Sequence, residues 1–234
     1  MRPSLSPKRI NFLKFLYATT IILTLSSMLS LAYAQKTSNS TKLDTLVATA
    51  NTLFNQQKYG EAIPYYDKIL AMNPSEIDAL NHIGISLWAL HKYKESLPYF
   101  DQILEINSSN VKALNNKGLA LLGLEKNDEA IEYFDQVLSM NPSDVYAINN
   151  KAEALTEMGK NEEALLVIKK AAINNPKDEN LQSTMAFILA NMGKDDEARV
   201  YYEKALKINP NLTEILYEKE LDEFNRLMGN KTKQ

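Results

Sequence analysis

The residue types that most often carry chemistry are scarce in this chain of 234 residues, which has two histidines and no cysteine. His82 and His91 are separated by more than two helical turns, a spacing at which two imidazoles on one helix do not share a metal ion. The lack of cysteine excludes thiolate zinc sites, iron–sulfur clusters, disulfides and thiol nucleophiles. The sequence also has no glycine-rich phosphate loop, no serine-centred elbow and no HExxH stretch. We therefore expect no catalytic residue, no metal site, no cofactor and no small-molecule substrate.

The N-terminal segment 1–34 differs from the rest of the chain. Four of its side chains are basic (Arg2, Lys8, Arg9 and Lys14) and none is acidic. An apolar run over 15–31 follows, and Ala32-Tyr33-Ala34 ends it with a small-x-small pattern. These features predict a secretory signal peptide over 1–34. The alternative is an uncleaved membrane anchor, although a run of about 17 residues is short for a span of roughly 20.

The net charge of the segment 35–234 indicates which kinds of partner the protein can bind. Four of the 26 basic residues lie within 1–34, whereas all 29 acidic residues lie after it, which leaves 35–234 with a formal charge of −7. Binding to phosphate backbones needs clustered Lys and Arg, and no basic stripe is present. We expect no nucleic-acid partner, and contact with a membrane only through an uncleaved N-terminal segment.

The chain contains an internal repeat with constant spacing. Asn-Pro pairs recur at Asn73, Asn141, Asn175 and Asn209, and Asn107-Ser108 completes the series. With each Pro at position 32, the repeats are 43–76, 77–110, 111–144, 145–178 and 179–212. Within each repeat, positions 4, 8 and 11 share one helix face and positions 20, 24 and 27 share a face of a second helix. Positions 8 and 20 are small and position 24 is large and apolar in every repeat, which allows two helices to pack closely.

These five in-register copies resemble the tetratricopeptide repeat (TPR) family over the whole of 43–212. The resemblance implies an all-α, right-handed solenoid of helix–turn–helix repeats, because one helical hairpin cannot bury its apolar face without neighbours. Residues 35–42 are polar and predict a disordered linker. Asn127, Asn161 and Asp195 are predicted to cap second helices. Residues 213–229 predict one C-terminal capping helix, followed by a tail over 230–234.

In TPR proteins one face of each first helix lines a concave groove. The resemblance places in that groove a row of amides beside apolar side chains, with Lys112 at its edge: Asn81, Asn115, Asn116, Asn149, Asn150, Ile85, Trp88, Leu119 and Leu122. An Asn side chain both donates and accepts, so it suits the backbone of an extended peptide. The other interpretation is that the amides belong to the repeat pattern and that Trp88 packs on a neighbouring repeat.

One TPR subclass binds the C-terminal carboxylate of a chaperone tail through Lys, Asn and Arg. At the matching positions this chain has Val47, Asn51, His82, Lys112 and Asn116, of which only Asn51 and Lys112 fit. That specificity is not expected here. With Asp44 and Asp78 at one end and Glu153 and Glu157 towards the other, the groove favours a neutral or mildly basic segment with an apolar centre.

The sequence thus predicts a non-enzymatic scaffold that binds a protein or peptide outside the cytoplasm. The alternatives are a self-associating assembly, a component of an envelope complex, and an accessory subunit of an exported enzyme. Four Asn-x-Ser/Thr sequons are candidate glycosylation sites: Asn39, Asn107, Asn211 and Asn230.

Overall fold

The computed structural model describes residues 7–214 and 218–229, and these residues form eleven α-helices without a strand. The helices are α1 (Pro7–Asn55), α2 (Tyr59–Met72), α3 (Ile77–Ala89), α4 (Tyr93–Ile106), α5 (Val111–Leu122), α6 (Asn127–Met140), α7 (Val145–Glu157), α8 (Asn161–Asn174), α9 (Glu179–Asn191), α10 (Asp195–Ile208) and α11 (Glu218–Gly229). Each helix packs on the next, and the five predicted repeats correspond to five helical hairpins. The all-α solenoid predicted from the repeat is confirmed.

Helix α1 extends far beyond the first repeat. It begins at Pro7 and includes residues 35–42, so the segment expected as a disordered linker is helical. No Gly or Pro occurs between Pro7 and Gly60, so nothing interrupts the backbone ladder. Residues 1–6 and the side chains of 7–23 lie outside the described part, which leaves the predicted signal peptide as an expectation. Within the described part, no helix is long and apolar enough to cross a membrane.

The two helices of each hairpin meet through a small residue on the first and a large residue on the second. A Cβ atom added at Gly84 would collide with the ring of Phe100, and one added at Gly118 would collide with the ring of Phe134. Both rings are fully buried. The large residue at position 24 therefore fills the space beside the small residue at position 8, as the repeat pattern predicts.

The turn inside each hairpin passes through the left-handed region at the same position of every repeat. The residues there are Gln57, His91, Glu125, Gly159 and Gly193, with φ between 58° and 74°. The next amide reaches back to the end of the first helix, as when the Lys92 N–H donates to the Leu87 carbonyl at 2.8 Å. This hydrogen bond ends the first helix in a left-handed C-cap motif.

The second helices begin earlier than the sequence predicts. Asn127, Asn161 and Asp195 are the first residues inside α6, α8 and α10, so they do not cap these helices. The capping positions hold Lys126, Lys160 and Lys194, whose side chains make no capping hydrogen bond. The prediction of these three caps was wrong, because the left-handed residue lies two positions before the helix and leads the chain directly into it.

Side-chain caps occur instead on the first helices, at the last position of the preceding repeat. Asn110, Asp144 and Asp178 accept from the backbone N–H groups of Ala113, Ala147 and Leu181, at 2.9–3.0 Å. In the fifth repeat this last position is Leu212, which is fully buried. The chain forms a 3₁₀ turn over Leu212–Glu214, and α11 is described from Glu218 to Gly229. Residues 213 and 214 thus lie in this turn and not in the capping helix predicted over 213–229, whereas 215–217 and the tail 230–234 are outside the described residues.

Candidate peptide-binding groove

The first helices of successive repeats form one layer of the solenoid. Helix α3 contacts α5, α5 contacts α7, α7 contacts α9, and α9 contacts α11, in addition to the hairpin contacts with second helices. We call the face that this layer presents on α3, α5 and α7 the groove.

The structure brings the predicted site residues onto these three neighbouring helices. Most of them are half-buried, so part of each side chain reaches the surface: Asn81, Ile85, Trp88, Asn115, Asn116, Leu119, Leu122 and Asn149. Lys112 is exposed at the start of α5, whereas Asn150 is only 7 % exposed. Asn150 is thus less accessible than the sequence suggests.

One pair of these amides joins two repeats. The Asn116 Nδ2 donates to the Asn81 Oδ1 at 2.9 Å, from the third repeat to the second. This hydrogen bond holds the two side chains against each other across the α3–α5 contact. The hydrogen bond does not use the Asn81 side-chain NH₂ group or the Asn116 Oδ1, so these can bind other groups.

The next two amides along the layer have an unmatched acceptor. The side-chain oxygens of Asn115 and Asn149 are buried, and neither has a hydrogen-bond partner among the described residues. The two residues are at the same position of the third and fourth repeats. A buried polar atom without a partner costs about 1–3 kcal/mol, so each of these half-buried side chains would gain by turning its oxygen toward a donor at the surface.

Trp88 lies at the junction between the second and third repeats. It packs against the cluster that contains Leu80, Phe100 and Ile103, and its ring centre is 6.3 Å from that of Tyr93. The ring is half-buried, and its Nε1 is buried without a partner among the described residues. Trp88 therefore packs between repeats and offers only part of its ring to a ligand.

An aromatic cluster at the first repeat was not foreseen from the sequence. The His82 ring stacks on Tyr66 at 5.0 Å and stands perpendicular to Phe54 at 4.6 Å. The Tyr66 hydroxyl donates to the Asn51 Oδ1 at 2.8 Å, and burial raises the pKa of Tyr66 to about 12. His82 is thus a packing residue, and in the described residues no group of three or more His, Asp or Glu is arranged to bind a metal.

The first helix of the fifth repeat, α9, adds no accessible residues to the C-terminal end of the groove over 181–190. Every residue of α9 from 181 to 190 is buried, including Ser183, Thr184 and Phe187. A pocket of about 370 Å³ remains beside α11, and its lining includes Glu157, Asp222 and Glu223. The accessible groove therefore lies over the second to fourth repeats and has acidic residues at its C-terminal end.

Comparisons with known proteins agree with this architecture. A family model described as tetratricopeptide repeat matches residues 47–111, and one described as Psidin, N-terminal TPR repeats region, matches residues 120–219. No curated protein matches the chain.

Solved structures of TPR proteins have the same fold. A thermophilic TPR protein from Thermus thermophilus is 17 % identical, with a TM-score of 0.66 over 81 % of this chain and 99 % of its own. A TPR protein from Parabacteroides merdae is 23 % identical, with a TM-score of 0.65 over 79 % and 70 %. MamA from Desulfovibrio magneticus is 18 % identical, with a TM-score of 0.61 over 73 % and 96 %. The repeat register, the hairpin packing and the two family models together establish that this chain belongs to the tetratricopeptide repeat family.

Proposed function

We propose that this protein is a non-enzymatic scaffold that holds an extended segment or a helix of a protein partner in the groove. The observation that carries the proposal is the pair of half-buried side chains of Asn115 and Asn149 on neighbouring first helices, each with an oxygen that lacks a partner among the described residues. They recur with the repeat, as the backbone donors of an extended peptide recur along its length. Scaffolding by protein–protein interaction is the usual role of this fold.

The neighbouring side chains support a particular kind of partner. Ile85, Leu119 and Leu122 are half-buried beside the amides and favour an apolar centre. Carboxylates at the C-terminal end, among them Glu157 and Asp222, favour a neutral or basic end. The partner we propose is therefore a mildly basic or neutral polypeptide with apolar side chains in its middle.

The predicted signal peptide supports a location outside the cytoplasm. Export by this route leads to a mature chain that begins at Gln35. Mass spectrometry of the protein purified from its own cells tests this. A first residue at Gln35 supports export with cleavage, whereas an N-terminus at residue 1 or 2 contradicts cleavage and favours the anchor.

The groove is tested by a cross-linking pull-down from the native extracytoplasmic fraction, with the variant Asn115→Ala/Asn149→Ala. The matched control is Gln102→Ala/Gln136→Ala, which removes two exposed amides, also one repeat apart, from α4 and α6. We expect the partner to be lost from the first variant and kept by the control, with the helical circular dichroism of both unchanged. A partner kept by both variants would overturn the groove as its site.

A further inference from the structure

A second cavity lies away from the groove, between the third and fourth repeats. It has a volume of about 700 Å³, is open to solvent on one side, and is lined by residues of α6, α7, α8 and the loop between α6 and α7. Leu138, Ile148, Val167 and Ala171 form its apolar wall, and Lys170 lies among its polar lining residues. The proposed groove function does not use any of these residues.

The repeat register explains why the cavity is present. Position 23 is tyrosine in the other four repeats, as Tyr65, Tyr99, Tyr133 and Tyr201, and it is Val167 in the fourth. Tyr99 borders the same core clusters as Leu70, and Tyr133 borders the same cluster as Leu104. Both leucines are at position 28 of the preceding repeat, the position that Leu138 has beside Val167. The cavity therefore opens where a tyrosine ring would otherwise cover Leu138.

The fourth repeat has a lysine, Lys170, at the position from which other repeats place a lysine over the tyrosine ring. Lys68 lies over the ring of Tyr65 at 4.9 Å, and Lys204 lies over the ring of Tyr201 at 4.2 Å. In both cases the lysine is at i+3 from the tyrosine on the same helix. Lys170 is at i+3 from Val167, so the fourth repeat has the cation without the ring.

We propose that this cavity receives an aromatic side chain of a protein partner, which lies over Leu138 with the Lys170 ammonium above its face. The partner ring takes the place of the absent tyrosine, so its chemistry is that of the rings in the other four repeats. An aromatic side chain buries a large area and gains a cation–π contact there. A single buried aromatic anchor of this kind contributes much of the energy of a protein interface.

The first test uses p-cresol, the side-chain analogue of tyrosine, with methyl-labelled protein observed by NMR. We expect saturable shifts of the Val167, Leu138 and Ile148 methyl signals. The variant Val167→Tyr fills the cavity with the ring that the other repeats have, so it should abolish these shifts and raise the melting temperature. The matched control Leu166→Tyr places the same ring on the neighbouring residue, which is 80 % exposed, and should keep the shifts.

The second test measures whether the cavity binds an aromatic ring that is part of a polypeptide. Two capped pentapeptides are compared, with Tyr or Leu as the central residue between alanines. We expect the Tyr peptide to shift the same methyl signals and to bind more tightly than the Leu peptide, and Lys170→Met to weaken its binding about two- to fivefold.

Either of two results would overturn the proposal. One is that the p-cresol shifts survive Val167→Tyr or fall only on groove residues. The other is that p-cresol binds in the cavity but the Tyr peptide does not, which would assign the cavity to a small aromatic molecule. Because none of these measurements involves Asn115 or Asn149, their failure would leave the groove function untouched.

Discussion

Individual residues of this protein are best understood by their position in the repeat. The left-handed turn position is Gly159 and Gly193 in the last two repeats, but Gln57, His91 and Glu125 in the first three. A side chain in this conformation costs about 1–2 kcal/mol, whereas glycine adopts it readily. The first three repeats therefore carry strain that the last two avoid.

This difference predicts that Glu125→Gly raises the free energy of unfolding by about 0.5–1 kcal/mol, and that Gly159→Ala lowers it by about 1 kcal/mol. Urea denaturation followed by circular dichroism measures both. Gly60→Ala is the control, because Gly60 has no positive φ and open space around it. Because Gly60 lies inside α2, its replacement by alanine should leave the free energy of unfolding unchanged or raise it. If Glu125→Gly and Gly159→Ala both unfold at the wild-type urea concentration, the turn is not strained.

The pairing of position 8 with position 24 leads to a second residue-scale prediction. Gly118→Ala places a methyl group against the Phe134 ring and should destabilise the protein by about 1–3 kcal/mol. The fourth repeat has Ala152 with Ile168 at these positions, both fully buried. The double variant Gly118→Ala/Phe134→Ile copies that pair and should recover part of the loss. The prediction fails if the single variant unfolds at the same urea concentration as the wild type.

At the scale of helices, the C-terminal element α11 contacts the fifth repeat through an exposed ion pair as well as through its apolar face. Phe224 and Leu227 are buried, and the Arg226 guanidinium donates to both oxygens of Asp195 in α10, at 2.8 and 2.9 Å. These hydrogen bonds hold the pKa of Asp195 below its ordinary value. The stability that this pair contributes is present above the ordinary Asp pKa of about 3.9 and is lost as the pH falls through the lowered value.

We therefore expect the protection factors of the α11 amides, which compare exchange with its intrinsic rate at each pH, to fall on acidification below about pH 4 in the wild type. In Arg226→Met, α11 should already exchange faster at neutral pH and change less with acid. The amides of α5 serve as the internal reference, since the fifth repeat separates them from this pair. If Arg226→Met exchanges like the wild type at pH 7, the ion pair does not hold the helix.

For the whole molecule, stability is distributed over contacts between neighbouring repeats. Lys117 of the third repeat hydrogen-bonds Asp101 of the second and lies 4.5 Å from the ring centre of Tyr133. Burial lowers the pKa of Lys117, but the hydrogen bond with Asp101 and the contact with Tyr133 outweigh this and raise it overall. A raised lysine pKa means that the contribution is present below the unfolded value of about 10.4 and is lost at higher pH.

Lys117→Gln should therefore lower the urea midpoint at pH 7, and the difference from the wild type should shrink above about pH 10.5. Lys112→Gln is the control, because Lys112 is an exposed lysine on the same helix. A difference that stays constant up to pH 11 would contradict a contribution from the charged amine.

The repeat, the helix pairing and the solenoid were predictable from the sequence because they depend on local periodicity. Small and large residues that recur at fixed positions of each repeat determine which helix faces must meet, whatever the details of the turns. The helix ends were less predictable. The caps at Asn110, Asp144 and Asp178 could have been found, since the same residue types recur at the last position of three repeats.

Only the tertiary structure determines the contacts between successive repeats. The Asn81–Asn116 hydrogen bond, the burial of Asn150 and the burial of α9 over 181–190 result from contacts between residues of successive repeats. The substitution at Val167 is visible in the sequence, but the cavity beside it depends on where Leu138 and Ile148 lie in three dimensions. Periodicity specifies the hairpin, whereas the distances between hairpins depend on side chains from both, and these distances determine which surfaces stay open to a partner.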